Sequence, residues 1–349
     1  MRTSPRPSSL TKGVQVAASA FLFTCVAASA AAAQSKPASA KAASPVEDVL
    51  EVPVTIGEGK WAVPGILALP GKDGSFPVAV LMHGFGPGSI DGDVGPNKVM
   101  RETAIGLASR DVAALRFAKR TTVHSKLFAS EHRRATIEEE WIDDSVAAVA
   151  ILKATPKIDP HRVFIVGHSA SAALAPQVAS VAEAAGAVLV NGSARKPGAL
   201  IKDQVEYTAT LRENDTPEAK AGHTKLLAAA ERLLADVGDD ADVILGQPMW
   251  FWRAMAARDV VSDVRTFTTN GGHVLVVHGA RDYLTTETDW LGLKNALSRF
   301  PNVQMRQFVN LNHMMQDGEG KMTPAEYQWK KPVSDEWISA LADWIKSKS

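Results

Sequence analysis

The sequence predicts an α/β fold in which a mostly parallel sheet is covered by helices on both faces. Short apolar, β-branched segments alternate along the chain with longer amphipathic segments, which is typical of this class. One apolar segment, 163–166, runs through a glycine into a serine and then into small residues that begin a helix. The chain has 349 residues, 46% of them hydrophobic and 22% charged, which suits one large domain with an insertion.

The first 33 residues differ in composition from the rest. Residues 1–33 contain three Arg or Lys within the first twelve positions. They continue as an apolar, alanine-rich stretch and end in three alanines before Gln34. This pattern is typical of a secretory signal peptide, so we expect an exported protein, periplasmic or secreted. A retained membrane anchor is the alternative, because the stretch is about long enough to span a bilayer.

Charge and cysteine content argue against several classes of protein. The only cysteine, Cys25, lies in the predicted signal peptide, so disulfides would not stabilise the mature chain. Cleavage removes three cations and changes the formal net charge from 0 to −3, without a basic stripe, which argues against a nucleic-acid partner. The chain has no HExxH motif and no set of cysteine ligands, so we expect neither a metal nor another cofactor.

Two segments precede the first parallel strand. Residues 34–45, rich in Ala, Ser, Lys and Pro, are expected to form a flexible linker, followed by one domain over 46–349. Segments 49–56 and 61–69 alternate enough to form an antiparallel pair with a turn at 57–59.

Strands and helices then alternate. Further strands are expected at 78–82, 112–117, 163–166, 187–191, 274–277 and 303–308, and helices at 97–110, 136–154, 171–185, 288–299 and 333–347.

This alternation breaks between about 195 and 270. The stretch 195–270 contains a charged amphipathic helix near 218–236 and an aromatic cluster, but no convincing strand, so we expect a helical lid insertion. Trp250, Phe251 and Trp252 form the cluster. They either line an acyl or aromatic substrate pocket or pack the insertion onto the domain, and packing is favoured for any single one.

Ser169 is the first candidate for chemistry, because it follows a buried strand at a sharp bend before a helix. A serine hydroxyl needs a base to take its proton and donors for the oxyanion that forms after attack. Four motifs contain the candidates, in this order: HGFGPGS at 83–89, GHSAS at 167–171, HGARD at 278–282 and LNH at 311–313.

These motifs, with GPNK at 95–98, LASRDVAALRFAKRT at 107–121 and DPHRVFIVGHS at 159–169, resemble exported bacterial α/β-hydrolases of the serine aminopeptidase-like and esterase group. The resemblance runs from about residue 50 to the end and is weakest in the insertion. It implies the α/β-hydrolase fold with a helical lid, and members of this group are mostly known or presumed carboxylic ester hydrolases. The motifs are specific for fold and catalytic class but not for substrate.

By position, the resemblance makes Ser169 the nucleophile, Asp282 the triad acid and His313 the base. It makes the backbone amides of Phe85 and Ala170 the oxyanion donors. The strands expected at 274–277 and 303–308 would deliver the acid and the base to the same sheet edge as the serine.

The motif G-x-S-x-G is altered here, since Ser171 stands in place of the last glycine. Serine is small enough to replace it with some strain. Ser171 as the nucleophile is the less favoured alternative, because it would already lie inside the helix.

Other residues have simpler explanations. Asp263 is the fallback for the triad acid, while Glu287 and Asp289 fall at a helix start, where acidic residues favour the helix dipole. His83 is expected to shape its loop through hydrogen bonds.

Two binding motifs are weak. Asp91 and Asp93 fit a solvated turn better than a cation site. GFGPGS departs from a dinucleotide fingerprint, because Ser89 replaces the third glycine and Pro87 removes an amide donor.

The leading hypothesis is therefore an exported serine esterase that acts on a small-molecule ester, with no nucleic-acid partner and no stable membrane insertion after cleavage. A serine peptidase of the aminopeptidase type is the first alternative, with Glu206, Glu213 or Glu218 binding the substrate's free amine. A non-catalytic binding protein on the same fold is the second. Acyl and alcohol preference and oligomeric state do not follow from the sequence.

Overall fold

The structure, a computed structural model, describes residues 49–211 and 215–348. The predicted signal peptide, 1–33, and the predicted linker, 34–45, lie outside the described residues.

Twelve strands are present in the described part of the chain: β1 (Val49–Ile56), β2 (Val63–Pro70), β3 (Phe76–Met82), β4 (Asp93–Val94), β5 (Asn97–Lys98), β6 (Ala113–Phe117), β7 (Ile158–His168), β8 (Gly186–Val190), β9 (Val243–Ile244), β10 (Gln247–Pro248), β11 (His273–Gly279) and β12 (Val303–Phe308). Each strand predicted from the sequence is found, with ends shifted by a few residues.

Eleven α-helices accompany them over the same residues: α1 (Val99–Ala108), α2 (Arg120–Val123), α3 (Ser125–Ser130), α4 (Asp143–Lys153), α5 (Ala175–Val181), α6 (Pro197–Ala209), α7 (Pro217–Ala235), α8 (Met249–Ala256), α9 (Val260–Thr269), α10 (Glu287–Leu297) and α11 (Asp335–Lys346). None of these helices is both long and apolar enough to cross a membrane.

Eight strands form one sheet in the order β1-β2-β6-β3-β7-β8-β11-β12. β1 pairs antiparallel with β2, as predicted, and β2 pairs antiparallel with β6, while all the other pairs are parallel. β3, β6 and β8 are buried along their whole length, because helices cover both faces of the sheet.

The core has a layer on each face of the sheet, and β3 shows the alternation directly. Val78 and Val80 of β3 face the layer under α4, α5, α9 and α10, whereas Ala79 and Leu81 face the layer under α1 and α11. This double burial fixes the register of the strands, because a slip by one residue would exchange the two apolar sets.

One predicted helix is interrupted. Residues 171–185 were expected to form a continuous helix, but a 3-10 turn over Ser169–Ala173 precedes α5. Pro176 stands in the first turn of α5, where a missing N–H costs nothing. The strained bend at Ser169 and this proline together delay the start of the α-helix.

In its described residues, the predicted insertion, 195–270, contains four helices and also two strands of two residues each, where no convincing strand was expected. α6 packs against α7. β9 and β10, two residues each, form a hairpin that leads into α8. α9 packs against α5 and next to β11, so it serves as the crossover helix into that strand.

Candidate active site

The bend after β7 holds Ser169 in a strained backbone conformation. Its φ is +60°, in the left-handed region that residues other than glycine adopt at a cost of order 1–3 kcal/mol. A Cβ at Gly167 would lie 2.5 Å from the carbonyl oxygen of Ser171, so only glycine fits the tight bend. The conformation projects Ser169 from the carboxyl edge of the sheet.

Ser171 stabilises the bend from inside. It is fully buried, and its hydroxyl accepts a hydrogen bond from the backbone N–H of His168 at 3.0 Å. The same oxygen lies 3.1 Å from the carbonyl oxygen of Met82 on the neighbouring strand. Because its hydroxyl is buried and already hydrogen-bonded, Ser171 stabilises the bend and is not available as a nucleophile. Ser169 remains the candidate nucleophile.

Asp282 and His313 meet in a buried hydrogen bond. His313 Nδ1 lies 2.5 Å from Asp282 Oδ2, and both side chains are nearly inaccessible to solvent. Asp282 also accepts hydrogen bonds from the Leu284 N–H at 2.7 Å and the Thr285 hydroxyl at 2.7 Å. In the neutral imidazole this places the proton on Nδ1 and leaves Nε2 as an acceptor.

The backbone of His313 is held in place from two sides. Its carbonyl oxygen accepts hydrogen bonds from His168 Nε2 at 2.7 Å and from Asn191 Nδ2 at 3.0 Å. The rings of His168 and His313 lie 4.7 Å apart between centroids, which brings His313 next to the residue before Ser169. Within the part of the chain that the structure describes, the Ser169 hydroxyl makes no hydrogen bond, so its link to His313 belongs to the proposal below.

The loop after β3 lies against Ser169. A Cβ at Gly84 would lie 3.0 Å from Ser169 Cβ, so this glycine allows the close approach. Among the described residues, the N–H of Phe85 donates to no protein acceptor. Ala170 follows Ser169 in the first positions of the 3-10 turn, where amide groups have no partner within the turn. Ala170 is thus adjacent to the candidate nucleophile, and Phe85 follows the glycine that contacts it.

The aromatic cluster packs against this loop. Phe251 and Trp252 are buried, and the Phe85 ring lies 6.4 Å from Phe251 and 5.3 Å from Trp252. Trp252 Nε1 donates to the carbonyl of Ile244 at 2.8 Å. Phe251 and Trp252 therefore sit in packed surroundings, which favours the packing interpretation, whereas Trp250 is only partly buried.

The alternative acids lie in other environments. Asp289 is buried, accepts two hydrogen bonds from Arg195 at 2.8 and 2.9 Å, and caps α10 together with Thr286. Glu287 is on the same first turn, as expected for a helix start. Asp263 lies in the first turn of α9. Of the acidic residues considered, Asp282 is the one that the structure pairs with His313.

The two aspartates considered for a cation are engaged by protein cations. Asp91 pairs with Lys98 at 2.8 Å and with the buried Arg116 at 3.2 Å, and Asp93 pairs with Lys98 at 3.4 Å. Within residues 49–211 and 215–348, His, Cys, Asp and Glu side chains do not group as ligands for a metal ion.

Sequence reasoning missed four polar residues of this region: Lys119, Glu140, Asn191 and Thr285. Asn191 directly follows the buried strand β8, and Lys119 lies two residues past the end of the buried strand β6, at the edge where the serine lies. A polar residue at the carboxyl end of a parallel strand is the signal that identifies them. Glu140 and Thr285 leave no such signal, because both lie outside the strands.

Burial and charge shift several pKa values here. Burial alone would raise the pKa of Asp282, but the neighbouring His313 and the hydrogen bonds from Thr285 and Leu284 hold it below its usual value. Burial and the positive charge of Lys119 lower the pKa of His83 to about 4. Burial and the nearby His313 lower that of His168 to about 3. Both histidines are therefore neutral near pH 7.

A cleft of about 780 Å³ lies beside Asp282. Asp282 lines it together with Glu206, Arg281 and Lys321. Neither Ser169 nor His313 is among the residues that line this cleft. Of the residues considered for binding an amine, Glu206 lines the cleft, Glu218 is exposed on the first turn of α7, and Glu213 lies outside the described residues.

Comparison with known proteins gives a relative and solved structures that are named esterases. No protein-family model matches the chain. The chain is 35% identical over 286 residues to esterase EstD of Thermotoga maritima; the match covers 81% of this chain and 65% of that protein's length. The chain thus spans slightly less than two thirds of the length of this curated relative.

Solved structures of esterases share the fold. Est1E from Butyrivibrio proteoclasticus matches with a TM-score of 0.53 and 14% identity, covering 85% of this chain and 99% of its own. An esterase of Pyrococcus furiosus matches with a TM-score of 0.52 and 18% identity, covering 89% and 97%. With its mostly parallel eight-stranded sheet flanked by helices, this chain has the α/β-hydrolase fold.

Proposed function

We propose that this protein is a serine hydrolase that cleaves carboxylic esters through an acyl-enzyme, with Ser169, His313 and Asp282 as its triad. The observation that carries the proposal is the buried 2.5 Å contact between Asp282 and His313 beside a serine at a strained bend. The identity of 35% to a protein named an esterase supports the choice of ester chemistry.

Catalysis begins when Ser169 Oγ attacks the ester carbonyl carbon and His313 Nε2 takes the hydroxyl proton. The amides of Phe85 and Ala170 stabilise the oxyanion of the tetrahedral intermediate. His313 then gives its proton to the leaving alcohol, and the ester bond breaks to leave an acyl group on Ser169. Water, deprotonated by His313, attacks this group and releases the acid.

Asp282 keeps the imidazole of His313 in the tautomer that leaves Nε2 free and stabilises the imidazolium that forms. Its lowered pKa keeps it ionised throughout the cycle. We further propose that the protein is exported, because of the composition of residues 1–33.

The test compares three variants on p-nitrophenyl butyrate. Ser169→Ala should abolish hydrolysis, and Asp282→Asn should lower kcat by about 10³- to 10⁴-fold because the imidazole adopts the wrong tautomer. Asp263→Asn, a matched change at the fallback acid, should leave kcat unchanged. Hydrolysis at the wild-type rate in Ser169→Ala would overturn the assignment.

For the aminopeptidase alternative, Glu206 is the remaining candidate to bind the free amine, because it lines the cleft that Asp282 also lines. Aminoacyl anilides and simple esters assayed side by side separate the two activities. The esterase proposal expects the higher kcat/KM on esters, and a preference for anilides that Glu206→Gln removes would support the peptidase. Labelling of Ser169 by a fluorophosphonate would exclude a non-catalytic binding protein.

A further inference from the structure

Lys119 is buried directly behind the loop that carries Phe85. Its side chain is 2% exposed, and the residue lies two positions past the end of β6. The ammonium donates hydrogen bonds to the carbonyl oxygens of Gly84 at 3.0 Å and Gly86 at 2.8 Å, which flank Phe85. A buried ammonium is costly unless it is paired and hydrogen-bonded, so these contacts need a further counter-charge.

Glu140 and Trp141 supply the rest of the environment. The Glu140 carboxylate, 6% exposed, forms an ion pair with the Lys119 ammonium, and the Trp141 ring lies 4.6 Å from the same nitrogen. Trp141 Nε1 also donates to the carbonyl of His83 at 2.8 Å, at the start of the loop. The Lys119–Glu140 ion pair and the Trp141 indole together pack against the buried side of the loop.

Two further hydrogen bonds hold the end of the loop at Gly88, one from Lys119 and one to Thr122. The Lys119 N–H donates to the carbonyl of Gly88 at 2.9 Å, and the Gly88 N–H donates to the Thr122 hydroxyl at 2.9 Å. A Cβ at Gly88 would lie 2.6 Å from Lys119 Cδ, so the backbone is in contact with the aliphatic part of the side chain.

The direction of the Gly84 carbonyl has a chemical consequence. In a trans peptide the C=O and the following N–H point in opposite directions. Because the Gly84 oxygen points at the buried ammonium, the N–H of Phe85, which belongs to the same peptide, points away from the ammonium. Ser169 lies against Gly84, next to this peptide. The bond to Gly86 fixes the other side of Phe85.

We propose that Lys119 is a positioning residue for ester hydrolysis: its ammonium, paired with Glu140, holds the carbonyls of Gly84 and Gly86 so that the N–H of Phe85 faces the oxyanion. This inference rests on the proposed function. It assigns catalytic importance to a buried ion pair that makes no contact with the substrate.

The test is Lys119→Met, which keeps the aliphatic length and removes the donors. We expect kcat on p-nitrophenyl butyrate to fall by about 10- to 100-fold while KM changes by less than about threefold, because oxyanion donors act on the transition state. The inhibition constant of a trifluoromethyl ketone, whose adduct with serine carries the oxyanion, should rise by the same factor. A merely structural role would lower the melting temperature without this paired change.

Arg120→Met is the matched control. Arg120 is the next residue and pairs with Asp144 through contacts of 2.5 and 3.1 Å, without touching the loop. It should lower stability but leave kcat per folded molecule within about twofold. The double variant Lys119→Met/Glu140→Gln removes the stranded carboxylate, and its kcat should stay low. Recovery of kcat in the double variant would assign the defect to the unpaired charge and overturn the inference.

Lys119→Arg covers the case in which Lys119→Met does not fold. The guanidinium keeps the charge beside Glu140 but does not direct its donors at two carbonyls as an ammonium does, so kcat should fall with KM unchanged. Wild-type kcat and inhibition in a folded Lys119 variant, beside an inactive Ser169→Ala, would overturn this inference alone. Activity in Ser169→Ala would instead overturn the proposed function.

Discussion

At the scale of single residues, Ser169 and Ser171 show how two serines in one motif take different places. Ser169 lies in the left-handed region of the bend, partly exposed, whereas Ser171 is buried and ties His168 to the end of β3. The serine that replaces the usual glycine of the motif thus contributes hydrogen bonds that glycine would not make.

Ser171→Ala should therefore weaken the fold more than the chemistry. Loss of the bonds around its hydroxyl should lower the free energy of unfolding by about 1–2 kcal/mol, measured by urea denaturation. Fluorophosphonate labelling should persist in Ser171→Ala and disappear in Ser169→Ala. Ser180→Ala, at an exposed position of α5, serves as the stability control. Labelling that disappears in folded Ser171→Ala but persists in Ser169→Ala would reverse the two assignments.

At the scale of elements, α8 connects the insertion with the candidate site. Its aromatic residues contact both Phe85 and Trp141, so α8 packs against the loop that carries Phe85 and against the indole that also contacts Lys119. The contact explains why an aromatic cluster occurs in a segment that is otherwise rich in charge.

Phe251→Ala and Trp250→Ala should differ strongly in stability. Phe251 is 1% exposed in the core layer, so its truncation should lower the free energy of unfolding by about 3–5 kcal/mol. Trp250 is only partly buried, and its truncation should cost about 1 kcal/mol or less. Urea denaturation of both variants measures the difference. Equal small losses, with altered preference for acyl length in Phe251→Ala, would restore the pocket interpretation.

At the scale of the whole molecule, two buried neutral histidines make stability depend on pH. The pKa of His83 is lowered from 6.5 to about 4 by burial and by the charge of Lys119, and that of His168 to about 3 by burial and by His313. Below pH 6.5 the unfolded chain binds protons at these positions that the folded chain does not bind. The contribution of these two histidines to folding stability is therefore fully present above pH 6.5 and is lost progressively as the pH falls toward 4.

The free energy of unfolding should fall by up to about 1.4 kcal/mol per pH unit for each of these histidines between pH 6 and 4. Urea denaturation at pH 7.5, 6 and 5 measures this slope. His83→Gln, which keeps a donor for the Phe117 carbonyl, should reduce it. His161→Gln, at an exposed position, should not. An unchanged slope in His83→Gln would show that the pKa of His83 is not lowered in the folded protein.

The sequence alone determined the alternation of strands and helices, the antiparallel start of the sheet, and the positions of Ser169, Asp282 and His313 after strands. These follow from local patterns, because the period of apolar residues and the chemistry of a tight bend are written in neighbouring residues. The interruption before α5 was missed, since it depends on strain at Ser169.

Only the tertiary structure decided which side chains support these residues. Asn191 reaches the carbonyl of His313 across 122 residues of sequence, and Lys119 pairs with Glu140 beside the loop that carries Phe85. Such pairs depend on how helices and loops pack around the sheet. Burial then decides the rest, because an ammonium or an indole excluded from water must find its partner in whatever part of the chain lies beside it.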